Sequence, residues 1–127
     1  MPWNLDSDRP IFIQIIERIE MEILSGKYTP GDRLPSVREL AMEAAVNPNT
    51  MQKALSELER SGLIYTQRTS GRFITEDAAM MEQLKKQLAN ETIEQFLKNM
   101  EAIGFMPEET KAMLTEKLAE KGREEKS

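Results

Sequence analysis

The sequence predicts a mainly α chain interrupted by one small β-hairpin. Three observations lead there. Apolar residues recur at helical spacing through segments that end by Gly62. Two short β-branched and aromatic runs come next, separated by a Ser-Gly turn. After Asp77 helical spacing returns and continues towards the C-terminus. Three helices followed by a hairpin make a winged helix-turn-helix domain, expected over residues 1–76. A helical dimerisation segment is expected over residues 77–127.

Each element has a local reason. In RPIFIQIIERIEMEILS, residues 9–25, Phe12, Ile15, Ile16, Ile19 and Ile23 fall on one face. Pro10 suits the first turn of that helix and Gly26 its far side. KYTPGDRLP, residues 27–35, holds two prolines and a Pro-Gly turn and reads as a loop. Ser36 and Glu39 have capping-box spacing, so a second helix should begin at Ser36 and end near Glu43 or Ala44. After the tight link Ala45-Val46, Asn47 can cap a third helix, Pro48 suits its first position, and Gly62 suits the residue past its end. Leu63–Gln67 and Arg72–Thr75 then pair across Arg-Thr-Ser-Gly. In the tail, Met81, Leu84, Leu88, Phe96, Met100 and Ile103 form an apolar stripe, with slippage around Ile93 and Leu97. Gly104 breaks it, and Pro107 opens a last helix with Glu108 and Glu109 in its first turn. The final residues, GREEKS, are expected to fray.

Composition narrows the function. The chain has 127 residues, 39% apolar and 31% charged, room for one ordinary domain or a small domain with an appendage. There is no cysteine and no histidine. Disulfides, thiolate nucleophiles, zinc fingers and imidazole bases are therefore excluded. The acidic residues are scattered along helical patterns and read as solvated faces rather than a metal site. No enzyme, cofactor or metal is expected. No apolar run has the length to span a bilayer, and MPWNLDSD does not resemble a signal peptide, so a cytoplasmic location is the default.

The front of the third helix is the informative stretch. Asn49, Gln52 and Lys53 share an exposed face at helical spacing, while Met51, Leu55 and Leu58 are left to pack inward. The N-terminal residues of the second helix of a helix-turn-helix meet base edges in the major groove. Amide side chains pair with adenine, Thr approaches a base or a methyl group, and Lys reaches guanine or phosphate. Asn49, Thr50, Gln52 and Lys53 are thus candidate DNA contacts. Asn47 is read first as a cap that also lies near phosphate.

The net charge of −5 argues mildly against a nucleic-acid partner. In residues 1–76 nine basic residues face eleven acidic ones. Arrangement decides, however. Arg33, Arg38, Lys53, Arg68 and Arg72 collect on the expected DNA side, whereas Glu17, Glu20 and Glu22 can face away on the first helix. Arg72 flanks the hairpin tip, within reach of a minor groove or a phosphate.

The stretch YTPGDRLPSVRELAMEAAVNPNTMQKALSELERSGLIYTQRTSGRFI closely resembles the N-terminal domain of GntR-family bacterial transcription regulators. The resemblance covers about residues 3–75. Pro-Gly, Leu-Pro-Ser-x-Arg-Glu-Leu-Ala and Leu-x-x-x-Gly-Leu-Ile occur together and in order. The short tail and Asn-Pro-Asn-Thr are similar to the YtrA-type subfamily, whose members end in a small helical dimerisation segment. By position, the resemblance implies DNA contacts at Arg38, at Asn47, Asn49, Thr50 and Gln52, and at the wing-tip residues Ser70 and Gly71; Ser36, at the start of the second helix, is a further DNA-binding candidate. There are two departures. Many members carry arginines where this chain has Pro48 and Gln52. The wing commonly has Gly-x-Gly, but Thr69 stands at the first glycine and Ser70 where a basic residue is frequent. The operator sequence therefore does not transfer.

The fifty or so residues after the hairpin are too few for the ligand-binding domains of larger relatives. Their apolar stripes need a partner, expected to be the same segment of a second copy. Met80, Met81, Met100, Met106 and Met113 read as adaptable core rather than a ligand pocket. An effector, if there is one, would sit at the dimer interface. A two-fold dimer presents two recognition helices about 34 Å apart and reads an inverted repeat. The expected function is a homodimeric, sequence-specific regulator that represses by occupying a promoter. The alternative is a winged-helix adaptor that docks on another protein without binding DNA.

Overall fold

The computed structural model describes residues 3–126. Five helices and one hairpin succeed one another in order: α1 Ile11–Leu24, α2 Val37–Ala44, α3 Pro48–Ser61, β1 Ile64–Gln67, β2 Gly71–Ile74, α4 Ala78–Ile103 and α5 Pro107–Lys126. They group into two compact units, Met1–Gln83 and Leu84–Ser127.

In the first unit the apolar stripes meet as a core. Ile15, Ile19 and Ile23 of α1, Leu40 of α2, and Met51, Leu55 and Leu58 of α3 are all buried. Burial of each such side chain contributes about 1.5–3 kcal/mol. Phe12 and Ile16 are only half-buried, because they flank the stripe rather than centre it. The first helix is shorter than the expected 9–25: Pro10 holds ψ at 131°, so the helix starts at Ile11 and ends at Leu24. Ser36 and Glu39 form the reciprocal capping box that opens α2.

The α2–α3 link turns on Ala45, whose φ is +60°. The Ala45 amide donates to Met42 and the Val46 amide to Ala41, which closes the end of α2 as a Schellman-type cap. Glycine usually fills that left-handed position, and alanine adopts it at a cost.

The wing is a two-stranded antiparallel sheet in which Ile64 pairs with Ile74, Tyr65 with Phe73, Thr66 with Arg72 and Gln67 with Gly71. Its base is anchored by Leu63, Ile64 and Ile74, all buried. The segment read as a loop lies along the outer edge of β2. The Gly31 amide donates to Ile74, the Ile74 amide to Asp32, and the Leu34 amide to Arg72, with Arg33 bridged to Phe73.

Asp77 caps α4 by accepting from the Met80 amide at 3.0 Å. Met80 lies beside Gly62, so the start of α4 packs against the end of α3. In the second unit Gly104, with φ +111°, ends α4, and Pro107 opens α5. Residues 122–126 depart from the fraying expected of them and continue α5 as helix, since Gly122 is the single weak helix former in a run of Glu, Lys and Arg.

Candidate nucleic-acid interface

The front of α3 is built by its cap. Asn47 Oδ1 accepts from the Asn49 amide at 2.7 Å, and Pro48 comes next with no amide to satisfy. With Met51, Ala54, Leu55 and Leu58 buried, rotation of the helix is fixed. Asn49, Gln52 and Lys53 are consequently exposed, and Thr50 is half-buried. Gln52 Nε2 donates to Ser56 Oγ at 3.3 Å. The Lys53 ammonium lies 3.9 Å from the centre of the Phe12 ring on α1. The Asn47 carboxamide oxygen and the Ser36 hydroxyl, which accepts from the Glu39 amide at 3.1 Å, both serve as helix caps.

A groove of about 400 Å³ borders this front, between Trp3 and Leu5 of the lead-in and Val46, Asn47 and Thr50. A second, of about 300 Å³, lies among Arg33, Pro35, Ser36 and Glu39. Arg38 is exposed in the first turn of α2.

At the wing the structure brings Arg33 onto Gly71. A side-chain carbon added at Gly71, where φ is +107°, would stand 3.1 Å from Arg33 Nε. Arg68 and Ser70 are exposed in the hairpin turn. Arg72 differs from them. Its Nε donates to Glu59 Oε1 at 2.7 Å, and its side chain is only 20% exposed. The same carboxylate oxygen accepts from the Thr66 hydroxyl. Burial alone would raise the Glu59 pKa, but the bonds from Thr66 and Arg72, with the Arg72 charge, hold it below the ordinary value of 4.5. Neither Glu59 nor Phe12 is marked by sequence as part of this region. Both act across elements, and no local spacing signals such a contact.

The ion pairs resolve the charge question locally. Arg9 pairs with Glu17, Arg18 and Lys27 with Glu22, Arg60 with Glu57, and Arg72 with Glu59. Among the described residues up to 76, the cations without an ion pair are Arg33, Arg38, Lys53 and Arg68. These are four of the five basic residues expected on the DNA side. No described group of three or more acidic residues could hold a metal ion, and no described helix is long and apolar enough to cross a membrane.

Residues 13–74 match the family model described as bacterial regulatory proteins, gntR family. The chain is 44% identical over 109 residues to the HTH-type transcriptional regulator YhcF of Bacillus subtilis, covering 86% of this chain and 90% of that one. It is 47% identical over 88 residues to the HTH-type transcriptional repressor YtrA of the same organism, covering 65% and 68%. A GntR family transcriptional regulator from Listeria monocytogenes superposes with a TM-score of 0.82 at 41% identity, over 88% of this chain and 98% of that one. AraR(DBD), solved in complex with operator ORE1, superposes with a TM-score of 0.51 at 30% identity, over 59% and 94%.

Proposed function

The chain belongs to the gntR family of bacterial regulatory proteins, as a YtrA-type transcription regulator with a DNA-binding domain, and on that premise we propose that it is a homodimeric repressor of an inverted-repeat operator. One observation carries the reading. Among the described residues, the cations of the winged domain without an ion pair are Arg33 before α2, Arg38 and Lys53 of the helix-turn-helix and Arg68 of the wing, together with exposed amides on the front of α3. Such a surface suits phosphate and base edges together.

In this reading Asn49, Gln52 and Lys53 enter the major groove, with Thr50 at its edge. Arg38 and Ser36 meet the flanking backbone, and Asn47 both caps the helix and approaches a phosphate. Arg33, Arg68, Ser70 and Gly71 serve the wing. The N-terminus of α3 adds backbone donors for phosphate without formal charge.

The dimer is proposed to form through residues 77–127. Ile93, Phe96, Leu97 and Ile103 of α4, with Met113, Leu114 and Leu118 of α5, are exposed, and a second copy would cover them. A two-fold pair sets the recognition helices about one DNA turn apart, ~34 Å. The operator-bound AraR(DBD) supports operator binding by this chain, the repressor YtrA supports repression, and the proposed place of action is the cytoplasm.

The test is selection of duplexes from a random pool by the purified full chain. An enriched inverted repeat is the expected result. Enrichment of nothing over random duplex, with a stable fold, would sink the reading in favour of a protein-docking adaptor.

A further inference from the structure

A single carboxylate joins the recognition helix to both strands of the wing. Glu59 stands in the last turn of α3. Its Oε1 accepts from Arg72 Nε on β2 at 2.7 Å and from the Thr66 hydroxyl on β1. Thr66 and Arg72 are directly opposite one another in the hairpin register, one step in from the tip pair Gln67 and Gly71. The other attachments of β1 to the domain lie at the base, where Ile64 and Ile74 are buried and the Thr75 amide donates to Leu63. A two-stranded hairpin of four-residue strands is marginal by itself. The segment before α2 braces the outer edge of β2, where the Leu34 amide donates to the Arg72 carbonyl, but it does not join the outer half of the hairpin to α3.

Resting on the DNA-binding function of this domain, we propose that Glu59 is a positioning residue for DNA recognition: through Thr66 and Arg72 it holds the outer half of the wing at a set angle to α3. The Arg72 cation is then engaged within the protein, and phosphate contact at the wing falls to Arg33 and Arg68. The side chains of Glu59 and Arg72 are 31% and 20% exposed, so solvent screens the pair less than it does an open surface bridge. Tyr65 and Phe73 stack at 5.8 Å on the opposite face of the hairpin and stiffen the strands between the two anchor points.

The sign of one substitution separates this role from simple electrostatics. Glu59→Gln removes a negative charge near the DNA side, so charge alone predicts tighter binding. The positioning role predicts weaker binding. The experiment measures affinity of the full chain for the duplex that the unaltered protein enriches from a random pool, across a series of salt concentrations, with thermal unfolding to verify the fold. Glu59→Gln and Arg72→Gln are each expected to weaken binding roughly five- to tenfold, as loss of one charge-assisted bond implies. The double variant is expected to lose little more than either alone, since both break one network. Arg72→Gln is expected to leave the slope of log affinity against log salt unchanged. Thr66→Val, which removes only a hydroxyl, is expected to weaken binding about two- to threefold and serves if a charge variant fails to fold. Tighter or equal binding by Glu59→Gln overturns the proposal. So does a slope reduced by about 0.9 in Arg72→Gln, which would put that guanidinium on a phosphate. If the unaltered protein enriches no duplex, the DNA-binding function itself fails and takes the positioning role with it.

Discussion

The ammonium of Lys53 lies 3.9 Å from the centre of the Phe12 ring, which ties the exposed face of the recognition helix to the first helix. An exposed cation–π contact of this kind is worth about 0.5–1 kcal/mol. The ammonium leaves the ring to reach a phosphate or a guanine, so its DNA contact gives up this attraction.

From this contact two outcomes are expected. Lys53→Gln should weaken binding to the enriched duplex and reduce the salt slope by about 0.9, the loss of one phosphate neutralisation. Phe12→Leu should leave that slope intact and lower unfolding free energy by about 1 kcal/mol in a denaturant titration. An unaltered slope in Lys53→Gln would mean that the ammonium stays on the ring when DNA binds.

Arg38 is exposed and has no ion pair with a described residue, so its removal should cost the fold little. Arg38→Ala is expected to weaken DNA binding and to reduce the salt slope by about 0.9, the loss of one backbone contact. Equal affinity in a direct titration, at matched salt, would assign Arg38 to the solvated surface.

Ala45 adopts φ +60° at the end of α2, in the place a glycine favours. Ala45→Gly relieves a left-handed penalty of roughly 1–2 kcal/mol, offset in part by the greater freedom of glycine in the unfolded chain. A net gain of about 0.5–1 kcal/mol is expected by chemical denaturation, with DNA affinity retained. A loss of stability would show that the Ala45 methyl group packs usefully in the turn.

Burial pushes the Glu59 carboxyl upward, yet the donors on Thr66 and Arg72 outweigh it and hold the pKa below 4.5. A depressed carboxylate stabilises the fold fully above its unfolded value, and this contribution fades as pH falls through the folded one. Stability of the unaltered protein should therefore decline on acidification below pH 4.5 more steeply than that of Glu59→Gln. Parallel curves in acid-range thermal melts would deny the linkage.

In α4, Ile93, Phe96, Leu97 and Ile103 recur at helical spacing and are exposed. Phe96→Asp puts a charge into the surface proposed for the second copy. It should weaken self-association roughly tenfold or more, as read by sedimentation equilibrium, because a buried unpaired carboxylate is costly. Undiminished association would move the interface to another face.

Much of the fold was legible because its signals are local. Ser36 with Glu39, Asn47 with Pro48, and Gly62 mark helix ends through hydrogen bonds spanning at most a few residues, and all three operate as their spacing implies. The rotation of α3 was legible as well, since Met51, Leu55 and Leu58 can only turn inward and leave Asn49, Gln52 and Lys53 outside.

What the sequence by itself determined was therefore the order of elements, the capped ends of α2 and α3, and the face that α1, α2 and α3 bury, because capping chemistry and apolar period act within a few residues. Tertiary structure alone decided the partners of the long polar side chains. It set Arg72 against Glu59 thirteen residues away, Lys53 over Phe12, and Arg33 along the edge of the wing. The physical reason is reach: a guanidinium or an ammonium on three or four methylenes samples several neighbours, and only the packed backbone determines which of them is near.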